Sequence, residues 1–403
     1  MSQATITPET ERITQTGRMP FQWKRTDAFW ILGAILMLAG AYSMFQRLVI
    51  GLEPTALTSY VPWGLWVGMY DYLVWLEVGS LLVFTTLTYI LGFKALAGIK
   101  RVVLFTGFVV LIMALMLVLV DLGHMDRFWH VLIYPDFRSM ITWMVWLHTA
   151  YLALLAAELG LLTFAEKKGE RVLKALAYLS IPLGVGLILV SGSILGVVSA
   201  RPLWNTSMLP FMFFLSSLAA GSALLLLLTV LFYPKKEGEE YRATLRRLSR
   251  LVAGLLLVGV FTAGLIALTT MYQGSPGRTN ALLLILSGPY WWTFWIVHLF
   301  GGVAVPLVIL FSKPDWPGWL GLAAGLSVFT FVAVTLNIVI PVLVTIDMQG
   351  LAEAFSGPKL HLNYFPNTME WLVLAFIGGV GATLYGLGFR WLPMQIDSQE
   401  ASK

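Results

Sequence analysis

Val102-Val-Leu-Phe-Thr-Gly-Phe-Val-Val-Leu-Ile-Met-Ala-Leu-Met-Leu-Val-Leu-Val120 runs straight into Asp121-Leu-Gly-His-Met-Asp-Arg-Phe-Trp-His130. The first stretch is nineteen residues without a charge, close to the roughly 20 that cross a bilayer as a helix. The second holds two aspartates, two histidines, an arginine and two aromatics in ten residues. Asp136 and Arg138 follow, and Ser139 opens another apolar run that contains His148. Charge is costly near lipid, so an ionisable cluster at a membrane helix end is a candidate functional site. A solvated loop with helix caps is the plainer alternative. Asp121, His124 and Arg127 stand at i, i+3 and i+6, so a continuing helix would make them successive neighbours. An imidazole between a carboxylate and a guanidinium is suited to exchanging protons near neutral pH, and these three are the catalytic candidates.

The rest of the composition agrees with a membrane protein. Of 403 residues, 58% are hydrophobic and 12% charged, against about 25% charged in a soluble domain. Mean hydropathy is +0.80. The formal charge of +5 therefore carries topology and gives no reason to expect nucleic acid. The chain has no cysteine, so it can form no disulfide and offers no thiolate to an iron–sulfur cluster.

Ten spans are expected, at about 27–49, 62–92, 102–121, 139–164, 173–198, 209–233, 249–271, 281–311, 317–346 and 367–391. The fold class is an all-α polytopic membrane protein. The polar segment 1–26 shows no signal-peptide pattern and reads as a cytoplasmic tail. Twenty of the 26 Lys and Arg fall in that tail, in the loops after spans 2, 4, 6 and 8, and in the C-terminal tail. The other six are Arg47, Arg127, Arg138, Arg201, Arg278 and Lys359. This asymmetry puts both termini in the cytoplasm and the 121–138 cluster outside. The expected division is a first helical half at 27–233, a cytoplasmic linker at 234–248, a second half at 249–392 and a tail at 393–403.

A faint repeat relates the halves. Trp63 precedes Gly79-Ser80 by sixteen residues, and Trp204 precedes Gly221-Ser222 by seventeen. Small residues let helices approach closely. Two related four-helix bundles, from spans 2–5 and 6–9, with peripheral helices 1 and 10, would account for it.

Within span 2, Trp63, Trp66 and Glu77 all lie within about 40° of Tyr70 on one helical face. That is an aromatic entrance leading inward to a carboxylate, with Asp71 beside the stripe. An interfacial aromatic belt is the alternative for the tryptophans, and a hydrogen-bonded structural acid the alternative for Glu77. Intramembrane ionisable groups more often serve ion or proton movement, so Asp71, Glu77 and His148 are the proton-transfer candidates. Glu158, near Lys167 and Lys168, reads as a snorkelling surface residue. His148 and His298 form a poor case for haem ligation, and His298 reads as a packed polar residue. No residue set suggests a resident metal or cofactor.

These residues resemble the NrfD/PsrC-like family, the membrane subunits of polysulfide-reductase type. The matching pieces are Pro62-Trp-Gly-Leu-Trp66, Gly79-Ser80, Asp121-Leu-Gly-His124, Arg127-Phe-Trp129, Ser139, Trp143 and Tyr151. They continue with Ser191-Gly-Ser193, Ala200-Arg-Pro-Leu-Trp-Asn205, Pro210, Gly221, Tyr364-Phe-Pro366 and Glu370. Ten spans are similar to the longer branch of the family. Trp75 and Glu77 depart from it, standing where small residues are usual.

The resemblance implies a quinone-reactive subunit of a respiratory oxidoreductase without a redox cofactor of its own. It implies an exchangeable menaquinone or ubiquinone near the outer surface of a prokaryotic inner membrane, and no haem or iron–sulfur cluster in the chain. Expected partners are a ferredoxin-like iron–sulfur subunit on the outer face and, behind it, a molybdopterin, hydrogenase or other redox catalytic subunit. The quinone ring would lie between Trp63, Trp66 and Tyr70 and meet His124. An ion- or proton-coupled transporter is a second reading, with the repeat as its symmetry. A purely structural anchor of a redox complex is a third.

Overall fold

The computed structural model describes residues 25–164, 166–234, 236–313, 315–345, 350 and 357–392. Among these residues the chain is helical with no strand, and ten helices are long and apolar enough to cross a membrane. Residues 1–24 of the expected tail 1–26, and the whole of the expected tail 393–403, lie outside the described residues.

The helices are α1 (Arg25–Val49), α2 (Leu65–Thr85), α3 (Lys100–Asp121), the short α4 (His130–Ile133), α5 (Met140–Phe164) and α6 (Glu166–Gly196). The second half holds α7 (Met208–Phe232), α8 (Glu239–Gln273), α9 (Pro276–Leu286), a π-helical segment Thr293–Ala304 continuing as α10 (Val305–Ser312), α11 (Pro317–Val344) and α12 (Thr368–Trp391).

α2 is apolar all round its circumference, which marks a helix enclosed by others. All of its residues except Val67 and Met69 are buried, and α3, α6, α7 and α11 pack around it. α2, α3, α5 and α6 close one bundle, while α7, α8, α10 and α11 close a second. α1 lies along α12, and α12 leans on α3. The outward apolar side chains, such as Leu38 of α1 and Phe261 of α8, are exposed, as a lipid-facing surface requires.

The two Gly-Ser pairs of the repeat meet at the centre. A methyl group built on Gly79 would fall 1.8 Å from the Ser217 carbonyl oxygen, and one on Gly221 would fall 2.1 Å from the Gly79 carbonyl carbon. The backbones of α2 and α7 therefore touch where neither residue has a side chain. Nearer one end of the same helix pair, Trp63 and Trp204 stack with ring centroids 6.0 Å apart.

Three helix limits differ from expectation. α8 begins at Glu239, not 249, because Gly238 turns the chain at φ +104° and two glutamates fill the first turn. Acidic residues favour a helix N-terminus. Its 35 residues span about 52 Å at 1.5 Å each, so it extends beyond the bilayer. The expected helix 281–311 is interrupted at Ser287-Gly288-Pro289, where glycine and proline stop α9. α2 ends in a π turn at Thr86–Ile90.

Candidate functional site

A cavity of about 760 Å³ lies between α2, α3, α5 and α6, at the end of the bundle that carries the 122–138 loop. Its walls are apolar, with Leu115, Met116, Leu119, Ile141 and Ile194 among them, and Trp63, Tyr70, Asp71, Asp121, His124 and Arg127 also line it. Six of the residues singled out from the sequence thus face one space.

The polar end is built differently from the expected helical triad. α3 stops at Asp121 because Leu122 turns to an extended conformation, and His124 is also non-helical. His124 and Arg127 therefore do not stack on Asp121. Both instead reach Asp126, His124 Nδ1 at 3.8 Å and Arg127 Nε at 3.6 Å, and the His124 side chain is 71% exposed. The cation that acts on Asp121 from a distance is Arg47 at the end of α1, which lies within electrostatic reach without a direct hydrogen bond to it. Arg47 is 2% exposed, and its Nε donates to the Val120 carbonyl at 2.6 Å while Nη2 donates to the Leu122 carbonyl. A cation at a helix C-terminus satisfies carbonyls that the helix leaves open. Asp121 Oδ1 is buried with no hydrogen-bond partner among the described residues, so it remains available to a ligand in the cavity.

On the α2 side, Tyr70 sits beside Ser191 and faces His148, hydroxyl to Nε2, at 3.3 Å. His148 Nδ1 lies 2.8 Å from the Met144 carbonyl. A carbonyl accepts only, so Nδ1 carries the proton and Nε2 accepts from the Tyr70 hydroxyl. His148 itself does not line the cavity; it orients the tyrosine that does.

Trp66 and Glu77 leave the expected stripe. Trp66 is buried away from the cavity, and its Nε1 donates to the Glu370 carbonyl at 3.0 Å. The four residues share a rough helical face, but α12 takes one edge of that face and the cavity the other. Glu77 lies deeper, 0% exposed, with both carboxyl oxygens lacking a partner among the described residues. Glu158 is not the surface residue expected from its position, being 3% exposed.

Several motif residues hold the frame. The Glu370 carboxylate accepts from the Ala56 and Asn367 amides and, at 2.6 Å, from the Tyr364 hydroxyl, which itself accepts from the Leu65 amide. Burial, and then the Glu370 charge, push the Tyr364 hydroxyl well above the ordinary tyrosine range, so it stays a donor. This latch fixes the start of α2, hence Trp63 and Tyr70. Arg201 donates to the Val342, Thr345 and Tyr60 carbonyls, and Trp204 Nε1 to the Ile338 carbonyl at 2.7 Å. The Arg-Pro-Leu-Trp-Asn run is accordingly a clasp between the bundles.

Arg47 and Glu158 are the residues that sequence alone does not place correctly. Their signal is present: each is an ionisable residue inside an apolar run, the pattern that marks a buried partner. No group of three or more His, Asp or Glu among the described residues is placed to hold a metal ion. His298 packs between Phe294 and Phe331.

A family model described as polysulphide reductase, NrfD, matches residues 54–347. The chain is 29% identical to a selenate reductase subunit of Mesobacillus selenatarsenatis, covering 90% of this chain and 92% of that one. It is 24% identical to the Hdr-like menaquinol oxidoreductase integral membrane subunit of Archaeoglobus fulgidus, covering 85% and 86%. It is also 24% identical to the menaquinone reductase integral membrane subunit of Nitratidesulfovibrio vulgaris, covering 88% of each.

Proposed function

The chain belongs to the polysulphide reductase NrfD family, and from that premise we propose that it is the quinone-reactive membrane subunit of a multi-subunit respiratory oxidoreductase. The observation that carries this reading is the cavity: apolar walls for a quinone ring and its tail, closed at one end by Asp121, His124 and Arg127. A site with mostly apolar lining and a few convergent polar groups is the usual form of a small-molecule site. The names of two relatives, a menaquinol oxidoreductase subunit and a menaquinone reductase subunit, support menaquinone over ubiquinone as the substrate.

Interconverting quinone and quinol moves two electrons and two protons. Trp63 and Tyr70 flank the ring. Asp121 Oδ1 accepts a proton from a quinol oxygen, or returns one in the reverse direction, as a general base and acid. Arg47 keeps Asp121 in place and compensates its charge. His124 and Arg127, at the solvent side, pass the proton on and favour negative charge on the substrate oxygen. Tyr70, whose hydroxyl proton goes to His148, accepts a hydrogen bond from the other hydroxyl of the quinol, with Asp71 and Glu77 as the deeper proton-handling groups.

The electron partner is a ferredoxin-like iron–sulfur subunit docked over the 122–138 loop, with a molybdopterin, hydrogenase or other redox catalytic subunit behind it. Phe128, Trp129, Tyr134 and Phe137 expose an aromatic surface there. By the Lys and Arg distribution this is the outer face of a prokaryotic cytoplasmic membrane, with both termini inside.

The test is quinol-linked turnover measured beside complex yield on the same membranes. Asp121→Asn lowers turnover about 100-fold with normal yield, and His124→Ala lowers it as well, the range expected on losing a general acid–base. Wild-type turnover in both variants would contradict the site.

A further inference from the structure

At the end of the molecule opposite the 122–138 loop, a second recess of about 320 Å³ opens in the seam between the two bundles. Leu87, Leu91 and Phe93, just past α2, form one wall, and Leu248 and Leu251 of α8 form the other, joined by the exposed Arg247. The first wall is a hydrogen-bonded hook. The π turn Thr86–Ile90 ends α2, Gly92 turns the chain at φ +67°, and the Phe93 amide donates back to the Leu87 carbonyl at 2.8 Å. Nothing lies within 4 Å of where a Cβ on Gly92 would stand, and Leu91 is 67% exposed. The recess is therefore open on that side.

The helices set its depth. At 1.5 Å per residue, Leu87 lies about 33 Å along the α2 direction from Leu65, and the hydrocarbon core of a bilayer is about 30 Å thick. From Leu251 to Gln273, α8 carries no charged residue, and Arg247 and Arg250 stand just outside that run. The recess thus sits where acyl chains give way to headgroups. Arg247 is held over the Phe93 ring, with its Cζ 4.9 Å from the ring centroid. A stacked guanidinium keeps its in-plane N–H donors open. Arg247 has no carboxylate partner among the described residues, whereas its neighbour Arg246 pairs with Glu239 and Asp315. Lys94, next in the chain to Phe93, and Arg250, three residues past Arg247, are exposed as well.

A cation without a counter-ion beside an apolar recess at headgroup depth matches a ligand with an anionic head and an apolar tail. Arginine grips phosphate oxygens through parallel N–H donors, and basic pockets between membrane helices suit acidic headgroups. We propose that the recess binds one anionic phospholipid, its phosphodiester on Arg247 with Lys94 and Arg250 beside it, and one acyl chain against Leu91, Leu248 and Leu251. The lipid fills the seam between the bundles at this end, as Arg201 and Trp204 close it at the other. The site is separate from the large cavity and does not depend on what that cavity holds.

The experiment uses the purified, delipidated complex and a phosphatidylglycerol carrying a photoactivatable diazirine in one acyl chain. Crosslinks are expected on peptides covering 86–93 and 247–251. Unlabelled phosphatidylglycerol should displace them, while phosphatidylcholine with the same chains and inorganic phosphate should not. Arg247→Gln should weaken labelling about tenfold, the expected loss for one charge-assisted hydrogen bond. Leu251→Phe, which fills the recess and leaves the charge in place, should weaken it too. Lys313→Gln removes a cation that does not line the recess and should change nothing. If Arg247→Gln fails to assemble, Leu251→Phe and the competition series decide. Equal displacement by phosphatidylcholine, displacement by inorganic phosphate alone, full labelling in either recess variant, an equal loss in Lys313→Gln, or no crosslink on these peptides overturns the proposal.

Discussion

Removing the Arg47 side chain would leave the Val120 and Leu122 carbonyls and the Asp121 carboxylate without their cation. Unsatisfied buried carbonyls cost about 1–3 kcal/mol each, so Arg47→Met should lower complex yield and thermal stability. Adding Asp121→Asn removes the stranded charge and should recover part of the stability while turnover stays low. Thermal unfolding in detergent, read beside quinol turnover, checks both halves. Trp63 and Trp66 give a second contrast. Trp63→Ala should raise the KM for quinol, since Trp63 lines the cavity. Trp66→Phe should leave KM unchanged and cost about 1 kcal/mol, the worth of one hydrogen bond. In sequence Trp63 and Trp66 look equivalent because helical spacing gives a face and not the neighbour on that face. Asp121, Tyr70 and His124 are legible because polar groups in an apolar run stand out. The influence of Arg47 on Asp121 is not, since a charge 74 residues back in the chain leaves no trace in local spacing and Arg127 lies nearer.

At the scale of elements, the crossing of α2 and α7 sets how closely the two bundles sit. Gly79→Leu would drive a side chain into the α7 backbone, and overpacking of this kind costs about 1–3 kcal/mol or more. Gly254→Ala on α8 meets nothing within 4 Å and should be tolerated. The difference in thermal midpoint between the two variants measures how far the crossing holds the fold. The ten spans are legible in sequence because their apolar runs are long. The repeat is legible as a spacing, but its meaning, that the two Gly-Ser pairs pack against each other, needs three dimensions. The interruption at Ser287-Gly288-Pro289 carries its own signal in glycine and proline. The π-helical register of Thr293–Ala304 does not, because its side chains are as apolar as those of any α-helical span.

For the whole molecule, the distribution of charge makes one further prediction. The chain has no cysteine, so single cysteines report cleanly. His130→Cys and Glu237→Cys, both exposed, should react with a membrane-impermeant thiol reagent from opposite sides, His130→Cys from the outside. Labelling of both from one side would remove the proposed docking face. The proposed assembly has its substrate cavity at the loop end and its second bundle clasped on by Arg201 and Trp204. The cavity is the part on which the rest depends. Photolabelling of the purified complex with an azidoquinone, followed by mapping of the modified peptides, tests it most directly. Modification is expected within 112–132 or at 191–195, displaced by excess quinone and weakened by Trp63→Ala. Specific, displaceable labelling confined to the second bundle would contradict a quinone site in this cavity.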